Sequence, residues 1–506
     1  MNIVTLLRRI AGRDSSRLAL AHGDSTMTYG QLYEKAARFA AFLVDHDLQP
    51  GQRVGLFMHN QPEWIVSLLG IWQAGGVAVP FNYLFHPSAL RHAAQDSDIR
   101  WMVTTAGDVD RVHESVHGTV AAERIISVGA ATGARVAFSE ALTTVAPLDY
   151  VVPRMDGDDA LLMYTSGSTG KPKGVRQSHR NTAAIAEAET DCWSLTEDDH
   201  ALISTPLFHV GGLQLLAVPL LAAGGTITLR RWNVQEWLSD AVRLRPTVVA
   251  LVPAMMFDII NALEDEHLVL DSIRVCAIGG SALPQAKLAE LTNATGIVPV
   301  NIYGQTEQSG VSILQPLGES RCEGSLGKPL SQVVELRIVA DTQNREAAPG
   351  EVGELWVRGD TVSPGYWCLP AANSARFTAD GWLRTNDLVR RDTVGNLYFV
   401  DRADDMIISG GENVYPQMVE CHLIECPHIR EVAVIGTPHD RYGQQVTAVI
   451  VPTSPSVTVD EVTAFCAQNP NLQGLQRPRR IEIVEELPRT ATNKVDRPKL
   501  KATLTQ

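Results

Sequence analysis

Short apolar runs alternate with amphipathic ones along much of the chain, and this rhythm constrains the fold more than any other feature. Residues 54–58 (VGLFM) and 77–79 (VAV) are uniformly apolar, as strands covered on both faces must be. Between them, residues 62–74 read as a helix opened by Pro62 and stopped by Gly75-Gly76. Ahead of them Leu32, Ala36, Phe39 and Leu43 share one helical face, which Gln49-Pro50-Gly51 ends. Apolar strand patterns return at 247–252, 273–278 and 297–303. Buried strands joined by helices predict a mostly parallel sheet. At 506 residues the chain exceeds one hydrophobic core, so more than one domain is expected.

The pattern changes between about 327 and 398. Alternating runs at 334–338 (VELRI) and 354–357 (ELWV) predict antiparallel strands. Beyond 404, strands at 432–435, 446–451 and 481–484 and a helix at 459–467 predict a small α+β domain. The expected fold class is therefore α/β. A large N-terminal domain, 1–402, holds parallel helix-covered sheets and a small β-barrel-like subdomain, and a small mobile C-terminal domain covers 403–506.

Composition narrows the function. Lys plus Arg number 43 and Asp plus Glu 57, a net charge of −14, and no basic tail is present, which argues against a nucleic-acid binder. Seven scattered cysteines suit a reduced, intracellular protein. The tightest group, Cys421, His422, Cys426 and His428, lacks the spacing of a metal site. The N-terminus lacks the apolar core of a signal peptide. The longest apolar stretch, 213–229, contains Gln214, Pro219 and two glycines, so it predicts buried core rather than a membrane span. A cytoplasmic location is expected, and the oligomeric state stays open, a homodimer included.

The densest chemical signal is YTSGSTGKPKGV at 164–175. Small residues admit close backbone approach, and N–H groups, hydroxyls and lysines suit a polyphosphate. It is not a Walker loop, because Pro172 follows Lys171 where Ser or Thr is required. Two strands also end in suggestive loops, Gly279-Gly280-Ser281 and Gly304-Gln305-Thr306-Glu307, which side by side would make a slot for something flat.

The 164–175 segment is similar to the phosphate loop of the adenylate-forming superfamily, and the chain resembles its acyl- and aryl-CoA ligase branch. Further motifs of that family follow in order: TPLFHVGG (205–212), IGGSALP (278–284), YGQTE (303–307), GELWVRG (353–359), RTNDL (384–388), DRADDMIISGGENVYP (401–416) and PRTATNKVDR (488–497). The resemblance implies that a carboxylic acid is activated by ATP and Mg²⁺ as acyl-AMP and passed to coenzyme A. A free-standing enzyme loading an acyl carrier protein is the alternative it leaves open.

It also implies roles for residues. Lys494 resembles the catalytic lysine between acid and α-phosphate, His209 the histidine beside the acid carboxylate, and Glu307 the Mg²⁺ ligand. Thr165, Ser166, Gly167, Ser168, Thr169, Gly170, Lys171 and Lys173 fall in the phosphate loop, and Thr306 on the α-phosphate. Asp387 resembles the ribose-binding carboxylate and Arg402 the arginine on ribose and phosphate. Tyr303, Gly304 and the strip Gly280-Ser281-Ala282 resemble the adenine walls.

His209, Val210, Gly211, Gly212, Gly279 and Gly304 would line an apolar acid pocket made roomy by glycines. Phe208-His209 stands where amino-acid-activating relatives carry Asp after the Phe, so a hydrophobic monocarboxylic acid is expected: fatty, aryl or bulky cyclic. Gly410 and Gly411 would line the thiol path, with Tyr442, Arg477 and Arg479 on the CoA nucleotide and Asp404 as hinge. Three residues depart from the usual glycine: Asn386, Asp401 and Asn493. Asn tolerates positive φ, whereas Asp401 has no such account.

Overall fold

The structure is a computed structural model that describes residues 3–130, 136–165, 171–263, 267–280, 285–317, 322–489 and 495–504. The helix Tyr29–Asp45 starts at a capping box between Thr28 and Gln31, and its expected apolar face is fully buried. It lies on the helix Pro62–Gln73. There Gly70 admits the neighbour, since a Cβ at that position would come within 2.8 Å of Phe39 and 2.9 Å of the Ala36 carbonyl.

Two large sheets form the N-terminal part. One runs in the order Val136–Ala137, Ile125–Val128, Ile99–Thr105, Arg53–Phe57, Val77–Pro80, Asp159–Thr165, Lys173–Ser178. It is parallel except for the last pair, an antiparallel hairpin. The other runs Lys328–Pro329, Ile313–Leu314, Val300–Tyr303, Val275–Ile278, Val248–Leu251, His200–Ile203, Thr226–Leu229, Leu18–His22, Ser25–Thr28. Its inner strands are parallel and its edges antiparallel. Side chains from both sheets share one core, in which Trp64, Trp72, Ile203 and Val248 are buried.

The apolar stretch 213–229 becomes a π turn Leu213–Ala217, a helix Val218–Ala223 and the strand Thr226–Leu229. No described helix is long and apolar enough to cross a membrane. The expected barrel-like subdomain takes the form of a four-stranded antiparallel meander, Val334–Val339, Val352–Gly359, Leu383–Arg391 and Leu397–Arg402.

The C-terminal sheet centres on the long hairpin Ile429–His439 and Gly443–Pro452, with Arg480–Ile483 parallel beside the latter. Alternate residues serve opposite faces. Val434, Val446, Ala448 and Ile450 pack with Val419, Leu423, Val462 and Cys466, while Ala433, Ile435, Val449 and Val451 pack with Leu487 and Leu500. Both faces are thus buried, which is why these strands read as unbroken apolar runs.

Candidate active site

The phosphate-loop segment begins and ends on the two strands of the hairpin that closes the seven-stranded sheet, with Thr165 opposite Lys173. Ser166, Gly167, Ser168, Thr169 and Gly170 lie outside the described residues, as do Ser281, Ala282, Asn493 and Lys494. Lys171 is exposed and Lys173 half-buried. The segment 363–367 docks along the outer strand of this hairpin. Arg176 N donates to the Gly365 carbonyl at 3.0 Å, Trp367 N to the Gly174 carbonyl at 2.8 Å, and Ser363 Oγ to the Arg176 carbonyl at 2.6 Å. This docking delivers Tyr366, whose hydroxyl donates to Glu307 Oε1 at 2.6 Å and whose ring lies 5.7 Å from Lys173 Nζ. The sequence reading missed Tyr366, which sits in no recognised motif.

Val275–Ile278 and Val300–Tyr303 are adjacent and parallel, with Ile278 opposite Asn301, so Gly279-Gly280 and the turn from Gly304 leave neighbouring strand ends. Their glycines have different reasons. A Cβ on Gly304 would come 1.7 Å from the Gly310 carbonyl oxygen, and one on Gly279 would come 2.7 Å from the Ile302 carbonyl oxygen. Gly212 is equally closed, 2.4 Å from the Pro206 carbonyl oxygen. These three admit neighbouring backbone, so they do not make the acid pocket roomy as the sequence suggested. Among the described residues, a Cβ on Gly280, which has φ +93°, would meet nothing within 4 Å, and one on Gly211 would meet only the His209 ring at 3.6 Å.

The residues expected to bind ribose form a polar knot around a buried carboxylate. Asp387 and Arg402 pair across antiparallel strands, so their side chains share a face, and Arg402 Nη1 lies 3.0 Å from Asp387 Oδ1. Asp387 Oδ2 accepts from Tyr303 Oη at 2.6 Å and from Gln305 Nε2 at 2.6 Å. Gln305 also donates to the Thr385 carbonyl at 2.9 Å and accepts from Arg376 at 3.2 Å. Asp387 is only 3% exposed. Burial pushes its carboxyl above the ordinary range, against the pull of Arg402, Tyr303 and Gln305. Tyr303 thus turns its hydroxyl inward to the carboxylate and offers its ring as a wall. Asn386 adopts φ +62°, the turn that glycine would otherwise make, and its N–H donates to Glu354 Oε1 at 2.9 Å.

His209 caps the short turn Val210–Gly212, its Nδ1 accepting from Gly211 N at 3.2 Å. That bond places the ring proton of the neutral tautomer on Nε2. Asn60 anchors the approach to this segment, donating to the Thr205 carbonyl at 2.9 Å and accepting from Leu207 N at 2.9 Å. Gln177 links the acid and phosphate sides, since its Nε2 donates to the Thr306 carbonyl at 2.9 Å and its Oε1 accepts from Gln214 at 2.7 Å.

Beyond Arg402 the chain turns through an exposed Asp404. Asp401, unexplained by the sequence, now has a reason. It is 2% exposed, its Oδ1 accepts from Arg402 N at 2.7 Å, and its Oδ2 accepts from Gln417 N at 2.8 Å, in the first turn of the helix Pro416–Leu423. A carboxylate at a helix start satisfies an orphan donor and meets the positive end of the dipole, which glycine could not do. Burial pushes this carboxyl up to about 6.

Arg497, also unassigned from sequence, grips Glu420 through both oxygens at 2.7 and 3.0 Å, donates to the Val434 carbonyl at 2.7 Å, and lies 3.5 Å from Asp405. On the expected CoA side, Gly410 packs on Tyr442, its N–H donating to the Tyr442 carbonyl at 2.9 Å, while Gly411 faces open space. The Arg479 guanidinium lies 4.3 Å from the Tyr442 ring centre and that of Arg441 5.4 Å, so this ring already stacks with cations. Arg477 is half-buried and acts electrostatically on Cys466.

The donor set fits the groups that adenylation requires. Glu307 offers one carboxylate, and among the described residues no cluster of three or more His, Cys, Asp or Glu forms an all-protein metal cage. Mg²⁺ is commonly bound this way, by one or two carboxylates completed by phosphate oxygens and water.

The AMP-binding enzyme family matches residues 7–367 and the C-terminal domain of AMP-binding enzymes matches residues 418–494, so the chain belongs to that family. It is 35% identical over 483 residues to a feruloyl-CoA synthase of an Amycolatopsis species, covering 94% of each chain. It is 32% identical over 486 residues to the 2-succinylbenzoate–CoA ligase of Bacillus subtilis, covering 96% of this chain and 95% of the relative. The solved o-succinylbenzoate CoA synthetase of Bacillus subtilis, in complex with ATP and magnesium, superposes with TM-score 0.85 at 29% identity, covering 98% of this chain and 99% of that one. Within the family the chain is an AMP-forming acid–CoA ligase that uses ATP, Mg²⁺ and coenzyme A.

Proposed function

We propose that this ligase activates a hydrophobic monocarboxylic acid, an aryl acid foremost, and that the residues above divide the work as follows. A carboxylate oxygen of the acid attacks the α-phosphorus of ATP. The α–β phosphoanhydride bond breaks, pyrophosphate leaves, and acyl-AMP remains. The CoA thiol, losing its proton, then attacks the acyl carbon, and AMP departs with the electrons of the acyl–oxygen bond.

Asp387, with Arg402 beside it, receives the ribose hydroxyls, and Tyr303 with Gly280 walls the adenine. Glu307, steadied by Tyr366, holds Mg²⁺, which screens phosphate charge. Lys173 and the 164–175 loop hold the outer phosphates. His209 offers Nε2–H to the acid carboxylate, whose tail runs along Val210 and Gly211. Lys494 bridges the carboxylate and α-phosphate from a lid, 403–506, that turns at Asp404. Gly411 borders the thiol path, and Arg477 and Arg479 attract the CoA phosphates.

The observation that carries this reading is the buried Asp387 paired with the half-buried Arg402, the carboxylate held by Tyr303 and Gln305 beside the Thr306–Glu307 turn. Its chemistry suits a vicinal diol next to a phosphate chain. The relatives' names, feruloyl and 2-succinylbenzoate, support an aryl acid and CoA as acceptor rather than a carrier protein.

A pyrophosphate-release panel of carboxylic acids, followed by thioester analysis with CoA or a phosphopantetheinyl carrier protein, tests it. Aryl acids with CoA are expected to lead, and turnover only with the carrier would overturn the acceptor. Lys494→Ala should abolish pyrophosphate release while thiolation of a supplied acyl-adenylate stays largely intact. Unchanged adenylation in that variant would refute the lysine's role.

A further inference from the structure

Gln214 is a polar residue that none of the proposed contacts to ATP or CoA uses directly. It is completely buried in the single π turn Leu213–Ala217, a type of distortion that concentrates at functional sites. Its orientation is fixed from outside. The Thr306 carbonyl can only accept, so Gln177 directs its Nε2 there and its Oε1 toward Gln214, which must answer with its own Nε2. The same Nε2 reaches Thr182 Oγ1 at 3.5 Å. Gln214 Oε1 is left buried with no hydrogen-bond partner among the described residues.

Nearby, Ser309 is also fully buried and its Oγ likewise lacks a partner among the described residues. Gly310 joins the two. It follows Ser309, and a Cβ built on it would lie 3.3 Å from Gln214 Cβ and 3.9 Å from Val210 Cβ. Folded interiors rarely leave such atoms unsatisfied, and each needs an explanation.

We propose that Gln214 Oε1 and Ser309 Oγ form a polar subsite at the far end of the acid pocket, which recognises a hydroxyl on the tail of the acid. Gln214 accepts the substrate O–H, and Ser309 donates to the substrate oxygen. The proposal rests on the reading that the acid lies along His209 and Val210. Val210 and Gln214 are about one helical turn apart, which sets the subsite about 5 Å along the chain axis from the His209 end. The side chains named around Gln214, those of Gln177, Thr182 and Val210, are uncharged, which selects a neutral donor over a second carboxylate or an ammonium.

The test uses the full-length enzyme with ATP, Mg²⁺ and CoA, and matched acids with and without a tail hydroxyl: cinnamic and 4-hydroxycinnamic, benzoic and 4-hydroxybenzoic, octanoic and 8-hydroxyoctanoic. In the accepted pair, the wild type should prefer the hydroxylated member by about tenfold or more in kcat/KM. Gln214→Leu should erase that preference, with kcat/KM for the hydroxylated acid falling about tenfold further than that for its unsubstituted partner. Ser309→Ala, which leaves the Gln177 chain intact, should reduce the preference about threefold and serves if the first variant folds poorly.

Equal losses for both members, or no wild-type preference in any pair, would overturn the subsite and leave the ligase reading standing. Absence of thioester from every acid would instead defeat the ligase reading.

Discussion

The two ends of the proposed reaction path are built differently. At the nucleotide end, Asp387 is 3% exposed, and tyrosine, glutamine and arginine side chains converge on it from separate strands and loops. At the thiol end, Tyr442 is half-buried, Arg479 exposed, and the pair is held by ring–cation stacking. Preorganised, desolvated donors suit a step in which charge develops, since they need no rearrangement as the reaction proceeds. Mobile cations at a rim suit capture of a long, flexible co-substrate whose phosphates stay near water. The first end should therefore be intolerant of change and the second forgiving.

The sharpest way to break this comparison is at Asp387. Asp387→Asn keeps the shape but removes the charge facing Arg402, and kcat/KM for ATP should fall about 10²–10³-fold, read by ATP–pyrophosphate exchange. A loss under fivefold would mean that the buried knot is mere scaffold.

Next comes the Arg497–Glu420 pair of the C-terminal unit. Arg497 and Glu420 are 19% and 16% exposed, so Arg497→Leu strands a buried carboxylate and should cost the C-terminal unit about 3–5 kcal/mol. Denaturant unfolding should then show an early transition, which circular dichroism and proteolysis near 405–506 would detect.

Asp401 offers a pH test. Its folded pKa, about 6, lies above the ordinary 3.8, so the stability it contributes is fully present below about 3.8 and lost as pH rises through about 6. The size is on the order of 3 kcal/mol. Asp401→Asn should flatten the unfolding free energy between those pH values, and an unchanged slope would show that the dependence does not come from Asp401.

The smallest effect belongs to the rim. Arg479→Ala should raise KM for CoA about three- to tenfold with pyrophosphate release unchanged. A loss comparable to that at Asp387 would erase the proposed contrast.

How much of this was legible in the sequence varies with the physics of each feature. Strands buried on both faces announce themselves: 54–58 and 77–79 fall within one residue of Arg53–Phe57 and Val77–Pro80, while 446–451 lies inside Gly443–Pro452, which begins three residues earlier. Asp387 and Arg402 were legible because local motifs carry them. Glycine misled at 212, 279 and 304, because a missing side chain looks the same whether it makes room for a ligand or for the next backbone. Tyr366 and Gln177 act across large sequence separations and left no local trace. Gln214 did leave one: an amide inside an unbroken apolar run is a buried polar group and demands a partner. Asp401 was visible as an oddity, but its partner, Gln417 N, belongs to a helix start that spacing alone does not bring near.

The strand Lys173–Ser178 ends its sheet, and an uncovered edge invites pairing with another chain. The segment that covers it, 363–367, is the one that carries Tyr366 to Glu307. Colloidal behaviour and turnover are thereby yoked. Libraries sorted only for clear lysates would discard variants that loosen this flap, and with them any route to an enzyme whose Glu307 carboxylate is less tightly braced.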